Sequence, residues 1–289
     1  MNGVVALPLL AAILAVLVGA PRFERLQPAA ATRSISVALV AVTAAAIPTL
    51  WLVGFGGLAR IGVRLPLLDW CERLLPEDQG VGLVVGVVAL GAAVFGTMRA
   101  VGVLRLHRRV RSCEDCPLQI IDTDAVFAYT LPGPAGTIAV SRGLRESLVD
   151  EEFAVVVAHE ESHARHRHDR FLLIGLLAAA VVPPLASLAR RLEFHIERWA
   201  DEDALDRTGI DRTLAARTIA RVGLAGQAPA VALGIARCGV AERATALLQP
   251  VEQTSMSARA QASLVLGVSL AVAMLQLHHT AAIVVDLLG

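Results

Sequence analysis

Lysine is missing from this 289-residue sequence, asparagine occurs once, at Asn2, and tyrosine once, at Tyr129. The 26 basic residues are therefore all arginine, and 26 acidic residues balance them to a formal net charge of zero. That balance excludes a global basic field of the kind that draws in nucleic acid, so no direct nucleic-acid binding is expected. The use of arginine in place of lysine reads as the bias of a GC-rich genome, not as a functional signal. Charge is scarce altogether, at 18% of residues against about 25% in ordinary soluble domains. Four cysteines, Cys71, Cys113, Cys116 and Cys238, are too few to staple a disulfide scaffold. Cys113 and Cys116 form one CxxC, but no second pair completes a four-thiolate site, and two ordinary thiols are the simpler reading.

What the sequence has in excess is apolar surface: 55% hydrophobic residues and a mean hydropathy of +0.62. Four stretches, residues 4–20, 36–56, 81–104 and 262–288, approach the roughly 20 helical residues that cross a bilayer core. The first has no basic leader and is read as a retained anchor. Arg22, Arg25 and Arg33 follow the first stretch, and Arg105, His107, Arg108, Arg109 and Arg111 follow the third. Between the second and third, arginines are offset by Asp69, Glu72, Glu77 and Asp78. The positive-inside rule then puts the N-terminus outside and residues 105–261 in the cytoplasm. The expected chain is a mainly α, multi-pass protein of the cell membrane. Three transmembrane helices fill residues 1–104, a small α+β domain fills 105–261, and a fourth helix fills 262–289.

Within the cytoplasmic region, residues 125–131 and 137–140 are strand-like runs around a turn built from Pro132, Gly133, Pro134 and Gly136. Ser141 can cap a short helix over residues 142–148. Asp150, Glu151 and Glu152 put negative charge at the start of a longer helix, where it complements the macrodipole. That helix opens with an apolar run, residues 153–158, and leads into His159-Glu160-Glu161-Ser162-His163, an HExxH. Residues four apart on a helix differ by about 40° in azimuth and about 6 Å along the axis, so both imidazoles can meet one ion. Glu160 sits beside the open coordination position, where it can take a proton from a water as catalytic base. Imidazole and carboxylate ligands around one open position suit zinc, one ion per chain. Downstream, Glu197 and Asp201 are four apart on a second helix. Glu197 can complete the metal site, and Asp201 can accept an N–H from a ligating histidine.

The segments FAYTLPGPAGTIAVSRGL, FAVVVAHEESHARHRHD and ERWADEDA together resemble the integral-membrane gluzincins of peptidase families M48 and M56. Four spans with a protease domain between the third and fourth look more like the M56 branch of BlaR1/MecR1-type antibiotic sensors. The resemblance implies a zincin-like protease domain with Glu197 as third zinc ligand. It implies a protein substrate, for the M56 branch a cytosolic transcriptional repressor, taken as an extended strand along the edge of residues 137–140. Family members often carry an aspartate five residues after the second histidine; here that place is His168, with Asp169 one later, and neither is given a role. No counterpart of the sensors' penicillin-binding domain follows the last span, so β-lactam sensing is not expected.

Rival readings follow from spacing. His166 shares the face of His159 and His163 but lies about 10 Å from His159 along the axis, too far to reach the same ion. Glu193 is one turn before Glu197, but only Glu197 has an aspartate four residues later, Asp201, which favours Glu197. His195 projects away from Glu197, and Glu161 and His168 are read as exposed polar positions. Arg212, Arg217, Arg221, Arg237 and Arg243 are read as a solvated face. Residues 171–189 are apolar, yet a single crossing there puts Glu197 and the histidines on opposite sides of the membrane. Pro183-Pro184 breaks the helix, so this stretch is expected to dock on or re-enter the membrane and return. The bilayer is then a partner alongside the protein substrate.

Overall fold

The computed structural model describes residues 6–59, 82–110, 118–133, 136–225, 239–249 and 254–285. The acidic residues Asp69, Glu72, Glu77 and Asp78, all four cysteines, Arg111, Pro134 and Arg237 lie outside the described residues. Four apolar helices dominate the described residues: α1 (Leu7–Phe23) is followed by α2 (Pro28–Ala59) and α3 (Leu83–Val110), and the last of them, α10 (Met256–Val285), returns to the others. Among the described residues three stretches, Pro28–Leu58, Leu83–Arg109 and Met256–Ala282, are long and apolar enough to cross a membrane. The expected count of four spans is thus reduced: α1 has 17 residues, a length of about 25 Å against a hydrocarbon core of about 30 Å. The arginine-rich run after residue 104 continues α3, with His107, Arg108 and Arg109 in its last turn.

Packing among these helices follows the rules of a lipid solvent, with small residues and internal hydrogen bonds at the contacts. Gly57 of α2 meets Gly86 of α3 so closely that a Cβ on either would collide with the other's backbone. Between α2 and α10, Gln276 Nε2 donates to Thr49 Oγ1 (2.9 Å), and within α10 Thr280 Oγ1 donates to the Gln276 main-chain carbonyl (2.7 Å), all buried. On the outside, α3 presents Val84, Val88, Phe95 and Met98, and α1 presents Leu10, Leu14 and Val18. Apolar exposure on this scale fits a surface solvated by lipid.

A three-stranded sheet sits apart from the apolar helices. Its strands are β1 (Leu118–Ile121), β2 (Ala128–Thr130) and β3 (Ile138–Ser141), ordered β1-β3-β2. β3 pairs parallel with β1 and antiparallel with β2, through Ala128↔Val140, Tyr129↔Ala139 and Thr130↔Ile138. The strand expected to offer its edge to substrate is therefore the central one, with both edges occupied, and that expectation is corrected. β1 went unanticipated.

Ser141 caps α4 (Arg142–Ser147), its Oγ accepting from Leu144 N at 3.1 Å. α5 (Asp150–His166) follows, with Glu152 accepting the Val149 N–H at its start. It ends at Arg167, whose φ of 54° is left-handed. α6 (His168–Val181) runs away from that point, a 3₁₀ turn at Pro183–Leu185 reverses the chain, and α7 (Ala186–Thr208) comes back. The reversal is a hairpin: Gly175 of α6 faces Ala189 and Leu192 of α7. Ala178, Val181, Val182, Leu185, Leu188, Leu192 and Ile196 of this hairpin share one buried cluster with α1, α2 and α10. α8 (Arg212–Ala225) and α9 (Val240–Leu248) complete the domain and pack against α5 and α7 through Val155, Leu205, Ala215 and Leu247.

Candidate metal centre

The hairpin decides the site. Because α6 departs and α7 returns, Glu197 is carried back to the two histidines of α5. One ligand atom from each of His159, His163 and Glu197 lies within 4.8 Å of the others. Among the described residues no other group of three or more such side chains meets that test. His163 Nε2 is 3.1 Å from His159 Nε2, and Glu197 holds its Oε1 3.6 Å from His163 Nε2 and its Oε2 3.6 Å from His159 Nε2. Glu193, the rival ligand, stays outside the group.

Asp201 stands where the i,i+4 spacing put it, with Oδ1 2.9 Å from His159 Nδ1 and the residue buried. It fixes that ring so that Nε2 faces the cluster. The residue that ties both acids together was read as part of a solvated face, and that reading is corrected. Arg243 of α9 is 6% exposed and reaches Glu197 Oε2 with Nη1 at 2.7 Å. It reaches Asp201 with Nη2 at 2.6 Å and Nε at 2.8 Å. Two buried carboxylates, one beside the other, need such a cation to stay ionised. No motif announces it, since it lies 42 residues beyond Asp201 in the chain. Of the other arginines in that group, Arg212 pairs with Glu202 (2.8 Å) and Arg221 with Glu152 (3.1 Å).

The charge states follow. Burial opposes ionisation of Glu197, but Arg243 and His163 outweigh it and hold the carboxyl down to about 2. Asp201 is held well below the usual carboxylate range in the same way, against burial, by Arg243 and His159. Burial likewise opposes a charge on His159, yet Asp201 and Glu197 carry it up to about 10. His163 is pushed below its ordinary value, chiefly by burial.

Glu160 is half-buried beside the cluster. Thr130 Oγ1 of β2 lies 2.8 Å from both its carbonyl oxygen and its Oε2, so one hydroxyl pins the side chain of the expected base. Thr130 was not anticipated; its only signal was membership of a strand just before the HExxH helix. His168, read as an exposed polar position, is fully buried, and its Nδ1 sits 2.9 Å from His163 Nδ1. The left-handed turn at Arg167 is the reason, because it folds the first residue of α6 back over the last turn of α5. His166 stacks near Trp199 at 4.5 Å and faces Asp203, away from the ligand set, as spacing required. Asp169 faces Arg167, 3.6 Å away. His195 is buried, and Tyr129 stacks on Phe127 at 5.5 Å.

The donor set fits a divalent ion. Glu197 Oε1 is a buried carboxylate oxygen with no hydrogen-bond partner among the described residues, turned toward His163. Arg243 balances the charge through Oε2, but a buried acceptor left without a partner still costs about 1–3 kcal/mol unless a donor or cation meets it. Two imidazoles and one carboxylate form the three-ligand pattern of catalytic zinc.

Comparison with known proteins agrees. Residues 109–232 match Peptidase family M48. The match falls on the M48 side of the two-family resemblance. Curated relatives include a protease HtpX homolog of Bacteroides fragilis, 35% identical over 80 residues, or 27% of this chain and 25% of the relative. The HtpX homolog of Listeria innocua is 40% identical over 68 residues (24% and 22%), and that of Thermoplasma acidophilum 40% over 62 residues (21% and 20%). The chain thus spans about a fifth to a quarter of the length of the curated relatives it matches. No solved structure matches the chain significantly. Residues 109–232 are thus similar to the M48 peptidases, and apolar helices of membrane length flank or overlap them.

Proposed function

We propose that this chain is an integral-membrane, zinc-dependent endopeptidase that cuts peptide bonds of a protein substrate at the cytoplasmic membrane surface. The observation that carries the reading is the convergence of His159, His163 and Glu197 within 4.8 Å, with Glu160 held beside them by Thr130. When bound, the ion supplies an acidified water and polarises the scissile carbonyl. Glu160 takes the water's proton on its carboxylate and delivers it to the leaving amine. Thr130 keeps that carboxylate from swinging away.

Substrate binding belongs to β2 in place of the strand first expected. Leu131 N donates to Thr137 O, and Ser141 N to Phe127 O, so residues 127, 129 and 131 face β3. The alternate residues, Ala128 and Thr130, turn their main-chain N–H and C=O to the outer edge. An extended peptide adding there lies along the wall from which Thr130 reaches Glu160.

The packing of the α6–α7 hairpin against α1, α2 and α10 supports a segment that enters the membrane and returns on the cytoplasmic side, placing the site at the bilayer surface. Two jobs suit such a protease: regulated cleavage of one cytosolic protein, such as a transcriptional repressor, or clearance of misfolded membrane proteins. The M48 match favours the second, and one defined cleavage site in the cell would favour the first. The test is turnover of an unfolded protein by the purified full chain with zinc. Glu160→Gln is expected to lower kcat by about 10²–10⁴-fold; full activity in that variant would remove this mechanism.

A further inference from the structure

His163 has a support that differs in kind from that of His159. Its Nε2 faces His159 Nε2 at 3.1 Å and Glu197 Oε1 at 3.6 Å, so that nitrogen belongs to the ligand cluster. A neutral imidazole keeps a lone pair at Nε2 only with its proton on Nδ1. That Nδ1 is 2.9 Å from His168 Nδ1, and two ring nitrogens at this distance share one proton. We infer that His168 is a positioning residue for His163, accepting its Nδ1–H and thereby aiming Nε2 at the metal. His168 is then the tautomer protonated at Nε2, a buried nitrogen that meets no hydrogen-bond acceptor among the described residues, so its support of His163 offsets that cost.

The fold holds the acceptor rigidly. His168 is fully buried and lies among the rings of Trp199 (4.8 Å), His166 (5.7 Å) and Phe171 (6.4 Å). Arg33 of α2 covers Trp199 from 5.1 Å, so the aim of His163 is coupled to one of the long apolar helices. A neutral acceptor here leaves the two ligand histidines with unlike partners: a carboxylate for His159 and an imidazole for His163. Partners of this type tune ligand basicity and metal affinity.

The inference rests on reading the three-residue cluster as a metal centre, and its test separates the two. Zinc affinity of the purified full chain is measured by competition with a fluorescent chelator for wild type, His168→Phe and His168→Asn. Phe keeps a buried ring but no acceptor, and is expected to bind zinc about 10–100-fold more weakly. Asn places Oδ1 where Nδ1 was and is expected to stay within a few-fold of wild type. Phe binding as tightly as wild type, or Asn binding as weakly as Phe, would overturn the inference. Should the Phe variant not fold by circular dichroism, His168→Leu against the nearly isosteric Asn makes the same comparison. Wild-type protein that binds no zinc would instead defeat the metal-centre reading itself.

Discussion

Replacing Arg243 by methionine keeps a long apolar stem and removes the guanidinium that reaches both Glu197 and Asp201. Three short contacts are lost, at 2.6, 2.7 and 2.8 Å, from a side chain that is 6% exposed. Breaking a buried pair from one side costs about 3–5 kcal/mol, because the partner charge stays buried and uncompensated. Here two carboxylates are left, so the upper half of that range applies to protein stripped with a chelator. For a chain of this size the melting temperature then falls by on the order of 10 °C. Zinc compensates Glu197 in the arginine's absence, so the loss in zinc-loaded protein is expected to be roughly half as large. The assay is a thermal melt in detergent, with and without zinc, for wild type and Arg243→Met. A widened gap between zinc-loaded and chelated melts is the predicted signature. A gap equal to wild type, with no fall in the chelated melt, would refute the claim that this arginine neutralises the site's acids.

Thr130→Val removes the hydroxyl that pins Glu160 while keeping the strand's β-branched shape; kcat is expected to drop by about tenfold, the scale of one mispositioned hydrogen bond near 1.4 kcal/mol. Thr130→Ser restores it, and steady-state kinetics on a peptide substrate decide. Glu193 is raised to about 7, first by burial and then by the charge of Glu197. Its ionisation in the folded protein is therefore unfavourable, so the wild type loses stability as pH climbs from about 4.5 through 7. Glu193→Gln should melt higher than wild type at pH 8, by no more than about 1 kcal/mol for a partly solvated group, and no higher at pH 4.

The parts of the site that were legible in the sequence are those set by helical spacing. His159 and His163 are four apart on α5, and Glu197 and Asp201 four apart on α7, so each pair's shared face follows from 3.6 residues per turn. Residues 171–189 were legible by geometry as a segment that returns, because one crossing destroys the site. What stayed hidden depends on chain reversals and on topology. His168 is brought to His163 by a left-handed residue that is not glycine, and nothing in Arg167 signals it. Arg243 arrives through two later helices, α8 and α9. The sheet order β1-β3-β2 cannot be read from alternating patterns, which is why β3 was mistaken for an edge. Among the long helices, composition marked α1 as a span, but its 17 residues leave it short of the other three.

Metal content of the purified full chain tests the central claim most directly. Elemental analysis is expected to find one zinc per chain in wild type, and a small fraction of that in His163→Ala and in Glu197→Ala. Wild-type protein without stoichiometric divalent metal, or zinc retained in full by both variants, would contradict it.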